Sequence, residues 1–205
     1  MSAMEEQLSM LAAEIAGRLF IEVEASGRHV HVTEQQAVAL FGQRLTPLRP
    51  LSQPGQFVSG QRVEIIGPKG KLSNVAVLGP ERKEGQVEIS LTDAVALGVS
   101  PPIRLSGKTE GSPGILLRGP KGEIFLDHGV IVARRHMHLP PHEAQLRGLK
   151  DRQIVQVKLF TSRSLVFDDV VVRVDPSFAP RVHIDFDEAN ACGFKKGDYG
   201  MIIHG

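Results

Sequence analysis

The chain has one cysteine, Cys192, among 205 residues. No internal disulfide can form, which fits a reducing compartment. Tryptophan is absent and there is a single tyrosine, so the aromatic platforms on which bases stack are scarce. Net charge is also small: the formal value is +1, with no long basic run. That argues against a nucleic-acid partner, because such binding rests mainly on neutralising phosphates. No apolar run approaches the length of a membrane span, and no charged segment leading into an apolar core marks a secretory signal. The expected setting is cytoplasmic, with no membrane partner. The G-x-S-x-G elbow of serine hydrolases is missing too. What remains is ordinary for a globular protein, with 41% hydrophobic and 23% charged residues. The length suffices for one large domain or two small ones.

Histidine is where the chain is unusual. His-x-His occurs twice, as Arg28-His29-Val30-His31 and Arg135-His136-Met137-His138, and takes four of the eight histidines. In an extended strand, residues i and i+2 point to one face. Each copy therefore aims two imidazoles at one spot, the beginning of a zinc site.

The surroundings repeat as well. The segment from Val87 to Val99 lines up with that from Val182 to Phe194, with Val, Ile, two Ala and Gly at matching places. Glu88 and His183 share one slot. A β-rich stretch precedes each copy, Val63 to Pro80 and Val155 to Pro176. The repeat predicts two three-donor sites, His29, His31 and Glu88 in one and His136, His138 and His183 in the other. Three protein ligands leave positions open for water or substrate, as in catalytic rather than structural sites.

Local patterns predict a mainly β chain with short helices. Met4, Leu8, Leu11, Ala12, Ile15 and Leu19 form one stripe of a helix over residues 4–19. Leu19 to Ala25 alternates like a strand. Thr33-Glu34-Gln35-Gln36 has the form of a capping box, and Pro140 to Leu149 is the equivalent helical piece in the second half. Asp93–Leu97 and Asp187–Ala191 are expected to be short helices stopped by Gly98 and Gly193. Gly67-Pro68-Lys69-Gly70 and Gly119-Pro120-Lys121-Gly122 read as turns. The architecture expected is two related small β-barrel domains sharing an interface that holds the active site, over residues 28–133 and 134–205.

Over almost its whole length the chain resembles the PduL-type phosphotransacylases (phosphate propanoyltransferases). The matching pieces are Ser26 to Thr33, Leu45 to Gly70, Leu78 to Ser90, Gly107 to Ile115 and Ala133 to Leu139. The resemblance implies a reversible reaction in which acyl-CoA plus phosphate gives acyl phosphate plus CoA. It implies two zinc ions per chain, on the same six residues that the repeat selects, and a phosphate-binding arginine at Arg82. It further implies that residues 1–27 complete the second barrel. A homodimer is expected by the same analogy and by the prevalence of twofold symmetry. The amphipathic N-terminal helix has two readings, a cap on a barrel or a peptide that docks on a bacterial microcompartment shell protein.

Gln56, Ser106 and Asn190 are further candidates for contacting CoA or phosphate. Arg28 and Arg135 precede the histidines by one residue and should face away from the metals into structural pairs. Cys192 aligns with Leu97 and is expected in the core. His128, His142 and His204 lack repeat partners, so surface or supporting positions are expected. Two rival functions stand beside acyl transfer. One is a zinc-dependent thioester hydrolase using water, against which Arg82 argues. The other is a zinc-stabilised barrel that only binds ligands, prompted by Cys192-Gly193-Phe194-Lys195-Lys196-Gly197-Asp198, which resembles the GD-box turn of small swapped barrels.

Overall fold

A computed structural model of the chain describes residues 2–203; His204 lies outside the described residues. In chain order its elements begin α1 (Ala3–Leu19), β1 (Phe20–Ala25), β2 (His29–His31), α2 (Glu34–Phe41), β3 (Pro47–Pro50), β4 (Phe57–Ile66), β5 (Lys71–Gly79) and β6 (Gln86–Ile89). They continue α3 (Leu91–Leu97), β7 (Ile103–Arg104), β8 (Ile115–Arg118), β9 (Glu123–Leu126), β10 (Val130–Ala133) and β11 (His136–Leu139). The last are α4 (Pro141–Leu146), β12 (Ile154–Leu159), β13 (Leu165–Val174), β14 (Arg181–Ile184), α5 (Phe186–Cys192) and β15 (Tyr199–Ile203). The chain is mainly β with short helices, in two barrel-like units.

One unit comprises Met1–Ala25, Arg135–Ile184 and Glu188–Gly205. Its six strands close into a barrel in the order β1-β14-β11-β13-β12-β15, with β15 pairing back to β1. Alternation along each strand sends one face inward. Ile21, Val23, Met137, Leu139, Val157, Val172, Val182 and Ile184 meet there in one apolar cluster. Cys192 is fully buried in the same cluster, the core role expected from its alignment with Leu97.

The other unit comprises Ser26–Arg134 and Asp185–Asp187. Nine strands make its sheet, ordered β7-β10-β6-β2-β5-β4-β8-β9 with β3 added on β4. Val30, Leu40, Ile65, Val77, Val87, Leu97 and Leu117 centre its own core.

Helix ends follow the capping signals. The Thr33 side chain accepts from the Gln36 backbone N–H while Gln36 bonds back, and Gly42 stops α2 at φ 74°. Ser90 and Asp93 do the same for α3, ended by Gly98 at φ 75°. That helix begins two residues before the predicted Asp93 because Ser90 is its cap. The helix expected over Pro140 to Leu149 stops at Leu146 instead. Gly148 turns left-handed at φ 66°, which returns Leu149 to the core.

The two G-P-K-G segments are β-turns with a second task. Lys69 N–H donates to the Leu97 carbonyl at the end of α3, and Lys121 N–H to the Leu40 carbonyl of α2, each at 3.0 Å. Each turn thereby satisfies a helix-terminal carbonyl that has no partner inside its helix. A side chain at Gly67 or Gly119 would stand 2.3 or 2.4 Å from those same carbonyl oxygens, so only glycine permits the approach.

The start of α3 receives help from a residue at the matching repeat position. The Asp187 carboxylate accepts the Thr92 N–H at 2.9 Å. Burial pushes the Asp187 carboxyl up, but the Thr92 bonds, Ser90 and Arg28 outweigh it and hold it below the usual value. A depressed carboxyl stabilises the fold above its unfolded value and loses that contribution as pH falls through the folded one. Asp187→Ala is therefore expected to cost about 0.5–2 kcal/mol at neutral pH, the worth of a helix cap. Urea unfolding at neutral pH and at about pH 2 checks this, and the difference from wild type should shrink in acid. An undiminished difference in acid would exclude the ionised carboxylate as its source.

Candidate metal centre

Each donor set is assembled by strand register. β2 runs antiparallel to β6 with His29 opposite Glu88 and His31 opposite Gln86. β11 runs antiparallel to β14 with His136 opposite His183 and His138 opposite Arg181. Directly opposed side chains on one face have Cβ atoms about 4.5–5.5 Å apart. A third donor facing the first histidine of a His-x-His pair thus completes a triad with no long loop to order.

Within each triad the donor atoms lie within 4.8 Å of one another. In the first, His29 Nε2 is 3.6 Å and His31 Nε2 4.0 Å from the Glu88 oxygens. A tetrahedral ion with bonds near 2.1 Å sets donors roughly 3.4 Å apart, so small rotations suffice. In the second, ring centroids lie 4.6 Å apart for His136–His138, 5.1 Å for His136–His183 and 4.9 Å for His138–His183. The four His-x-His imidazoles and Glu88 are buried.

The donor chemistry fits a divalent ion such as zinc. His29 Nδ1 lies 2.8 Å from the Gly27 carbonyl. Donation of the Nδ1 hydrogen there fixes the tautomer and leaves Nε2 as a ligand. Burial, then the charges of His29 and Arg82, pushes His31 well below the usual histidine value, so its lone pair is available. Burial raises Glu88, yet His29, His31 and Ser106 together bring it well below the carboxylate range. Burial also pulls on His29, but Glu88 and the Gly27 carbonyl win and raise it. In the second triad, buried His183 Nε2 makes no hydrogen bond, and the Glu24 carboxylate stands off at 3.6 Å. A buried polar nitrogen without a hydrogen bond is costly; an ion between the three rings removes that cost.

Arg28 and Arg135 are paired, as their place in the strand predicts. Arg28 Nη2 meets the buried Asp93 carboxylate at 3.0 Å. Arg135 Nη1 makes a short ion pair with Glu188, and its Nε donates to the Asp168 carbonyl at 2.7 Å. Asp93 and Glu188 occupy matching repeat positions. In both halves, then, the residue before the His pair is tied to the helix after the third donor.

The remaining candidates are distributed unevenly. Arg82 Nη1 donates to Ser106 Oγ at 3.1 Å, and Ser106 in turn bonds Glu88, so both stand beside the first triad. Gln56 closes a turn before β4, accepting from Leu51 N–H at 3.0 Å, outside this hydrogen-bonded group. Asn190 is exposed on α5, and His128 and His142 are exposed.

Sequence reasoning missed two supports. Gln86 contacts both Glu88 and Ser106; its i, i+2 spacing from Glu88 in a strand was the available signal. Phe178 stacks on the His138 ring at 3.9 Å and 23°, while Arg173 Nη1 lies 3.5 Å from His138 Nε2. No local pattern announces that contact, because Phe178 comes from the loop after β13.

Among the described residues, no helix is long and apolar enough to cross a membrane. The family model for phosphate propanoyltransferase matches residues 22–195. A phosphate propanoyltransferase of Enterococcus faecalis is 54% identical over 184 residues, covering 89% of this chain and 87% of that protein. One from Listeria monocytogenes is 52% identical over 204 residues, covering 97% and 96%. Another from Clostridioides difficile is 50% identical over 206 residues, covering 98% and 99%. The chain, with its duplicated donor triads, belongs to the phosphate propanoyltransferase family.

Proposed function

We propose that this chain is a phosphate acyltransferase that reversibly converts a short-chain acyl-CoA, propanoyl-CoA or acetyl-CoA, plus phosphate to acyl phosphate plus CoA. The reading includes two zinc ions per chain, one on His29, His31 and Glu88 and one on His136, His138 and His183. The observation that carries it is the pair of triads, buried but for the partly exposed His183, built by the same cross-strand register. Family membership supplies the reaction class.

Bound zinc would supply Lewis acidity for carbonyl and phosphate oxygens and stabilise a departing thiolate. The rest is work for the chain's own side chains. Arg82 offers a guanidinium suited to bidentate contact with phosphate. A phosphate oxygen attacks the thioester carbonyl carbon, the new C–O bond forms and the C–S bond breaks. CoA leaves as thiolate and takes a proton from solvent. Gln56, Ser106 and Asn190 are assigned contacts with CoA or phosphate. Burial of the donors limits water, the competing nucleophile.

Free thiol released from propanoyl-CoA or acetyl-CoA by the zinc-loaded protein tests the assignment. Phosphate-dependent release is expected, with about two zinc ions per chain. Release that ignores phosphate would establish the hydrolase instead. No release across several acyl chains would leave a binding module.

A docking role for α1 has its own support. Met4, Leu8, Leu11 and Ile15 are each about half exposed or more along one stripe, and an apolar stripe of this kind fits a groove on a shell protein. The proposed setting is then the interior of a bacterial microcompartment, with the enzyme a homodimer.

A further inference from the structure

A buried glutamine stands between the first triad and the arginine assigned to phosphate. Gln86 is 3% exposed and lies two residues before Glu88, so the two side chains share one face of β6. Its amide nitrogen donates to Glu88 Oε1 at 2.6 Å and to Ser106 Oγ at 2.9 Å. Its amide oxygen accepts the Gly107 N–H at 2.8 Å. Both amide hydrogens and the oxygen are engaged, so the network itself dictates which way the amide points. Ser106 Oγ accepts from Arg82 Nη1 as well, leaving its own proton for Glu88. One amide therefore grips a carboxylate, a hydroxyl and a loop backbone together.

The repeat does not require this residue. Arg181 occupies the matching slot in the other half, opposite His138 as Gln86 is opposite His31, and it pairs with Glu22 at 2.9 Å. Building a His-x-His triad thus needs no amide there. Burying one instead of an aliphatic residue forfeits apolar packing unless every polar atom is matched. Here every one is matched, and each match lands on the group around Glu88 and Arg82.

We propose that Gln86 is a positioning residue, holding the Glu88 carboxylate and, through Ser106, the Arg82 guanidinium in one geometry, so that an anion on Arg82 is kept in register with the first triad. The inference rests on the phosphate acyltransferase reading. It differs from that reading in what it requires: a fixed alignment rather than the presence of the donors.

Gln86→Met keeps the length and removes the hydrogen bonds. At saturating zinc, kcat is expected to fall about 10–100-fold, the usual effect of losing a group that orients a metal ligand. KM for phosphate should move less than about threefold, because Arg82 still supplies the charge. A second readout needs no turnover. Competition with a chelating dye should show one zinc site per chain weakened about 10–100-fold and the other unchanged. Gln86→Leu, which is also apolar and lacks both donors, should behave alike, and it serves if the Met variant fails to fold by circular dichroism. Wild-type kcat together with wild-type zinc affinity in a folded variant overturns the proposal. So does a tenfold rise in phosphate KM at unchanged kcat, which would make Gln86 a binding residue. If wild type itself shows no phosphate-dependent release, the functional reading fails, and the dye competition still decides whether Gln86 holds Glu88.

Discussion

His136→Ala is expected to lower phosphate-dependent CoA release by about a thousandfold or more while the barrel stays folded. The imidazole is buried and faces His183 across the β11–β14 ladder. On the proposed two-zinc reading, its removal leaves two donors, too few for a tightly held ion, and would forfeit the several kcal/mol that metal polarisation supplies to transition states of this kind. Fold retention follows from alternation. Met137 and Leu139, on the other face of β11, carry its share of the apolar cluster, and the backbone pairings with β13 and β14 involve no imidazole. Bound zinc should drop from about two to about one per chain, with circular dichroism unchanged. An unfolded variant would mean that the metal is structural. A variant of wild-type turnover would remove the second triad from the chemistry.

Arg82→Ala should cost about 10²–10³-fold in kcat/KM for phosphate, in line with removing one preorganised charged donor from a developing anion. The main chain at Arg82 is anchored by its N–H to the Val32 carbonyl at 2.9 Å, so the loop should survive truncation of the side chain. Arg82→Lys restores charge but not the planar fork, and only partial recovery is expected. The diagnostic feature is selectivity: slow release of thiol in the absence of phosphate should be the same in Arg82→Ala and wild type. A parallel loss with and without phosphate would show that Arg82 serves the thioester or the fold rather than the phosphate.

Local pattern carried a good part of the fold. Thr33 and Gln36 form the capping box their spacing predicts, and Ser90 with Asp93 forms another. Both depend on residues three apart, where chain connectivity alone decides the contact. Cys192 is buried where its alignment with Leu97 put it. The end of α4 was not legible in the same way, because Gly148 and the burial of Leu149 override a pattern that would extend the helix. The role of Gln86 is not legible locally either, because a polar residue in a strand carries a solvent-facing pattern, and only tertiary packing buries it. The same holds for Phe178, whose partner His138 is forty residues away.

The amino-acid order alone determined the inventory: two His-x-His pairs, a repeat that sets Glu88 and His183 in one slot, and the period-two alternation that aims each pair to one side. Tertiary structure decided which atoms meet. Glu88 faces His29, and Gln86 faces His31, only because β2 and β6 pair in one register, and a slip of one residue would turn every donor to the opposite face. That register is held by hydrogen bonds and apolar contacts between segments more than fifty residues apart. Its free energy comes from closing the sheet over its core, so no local stretch of the chain contains it.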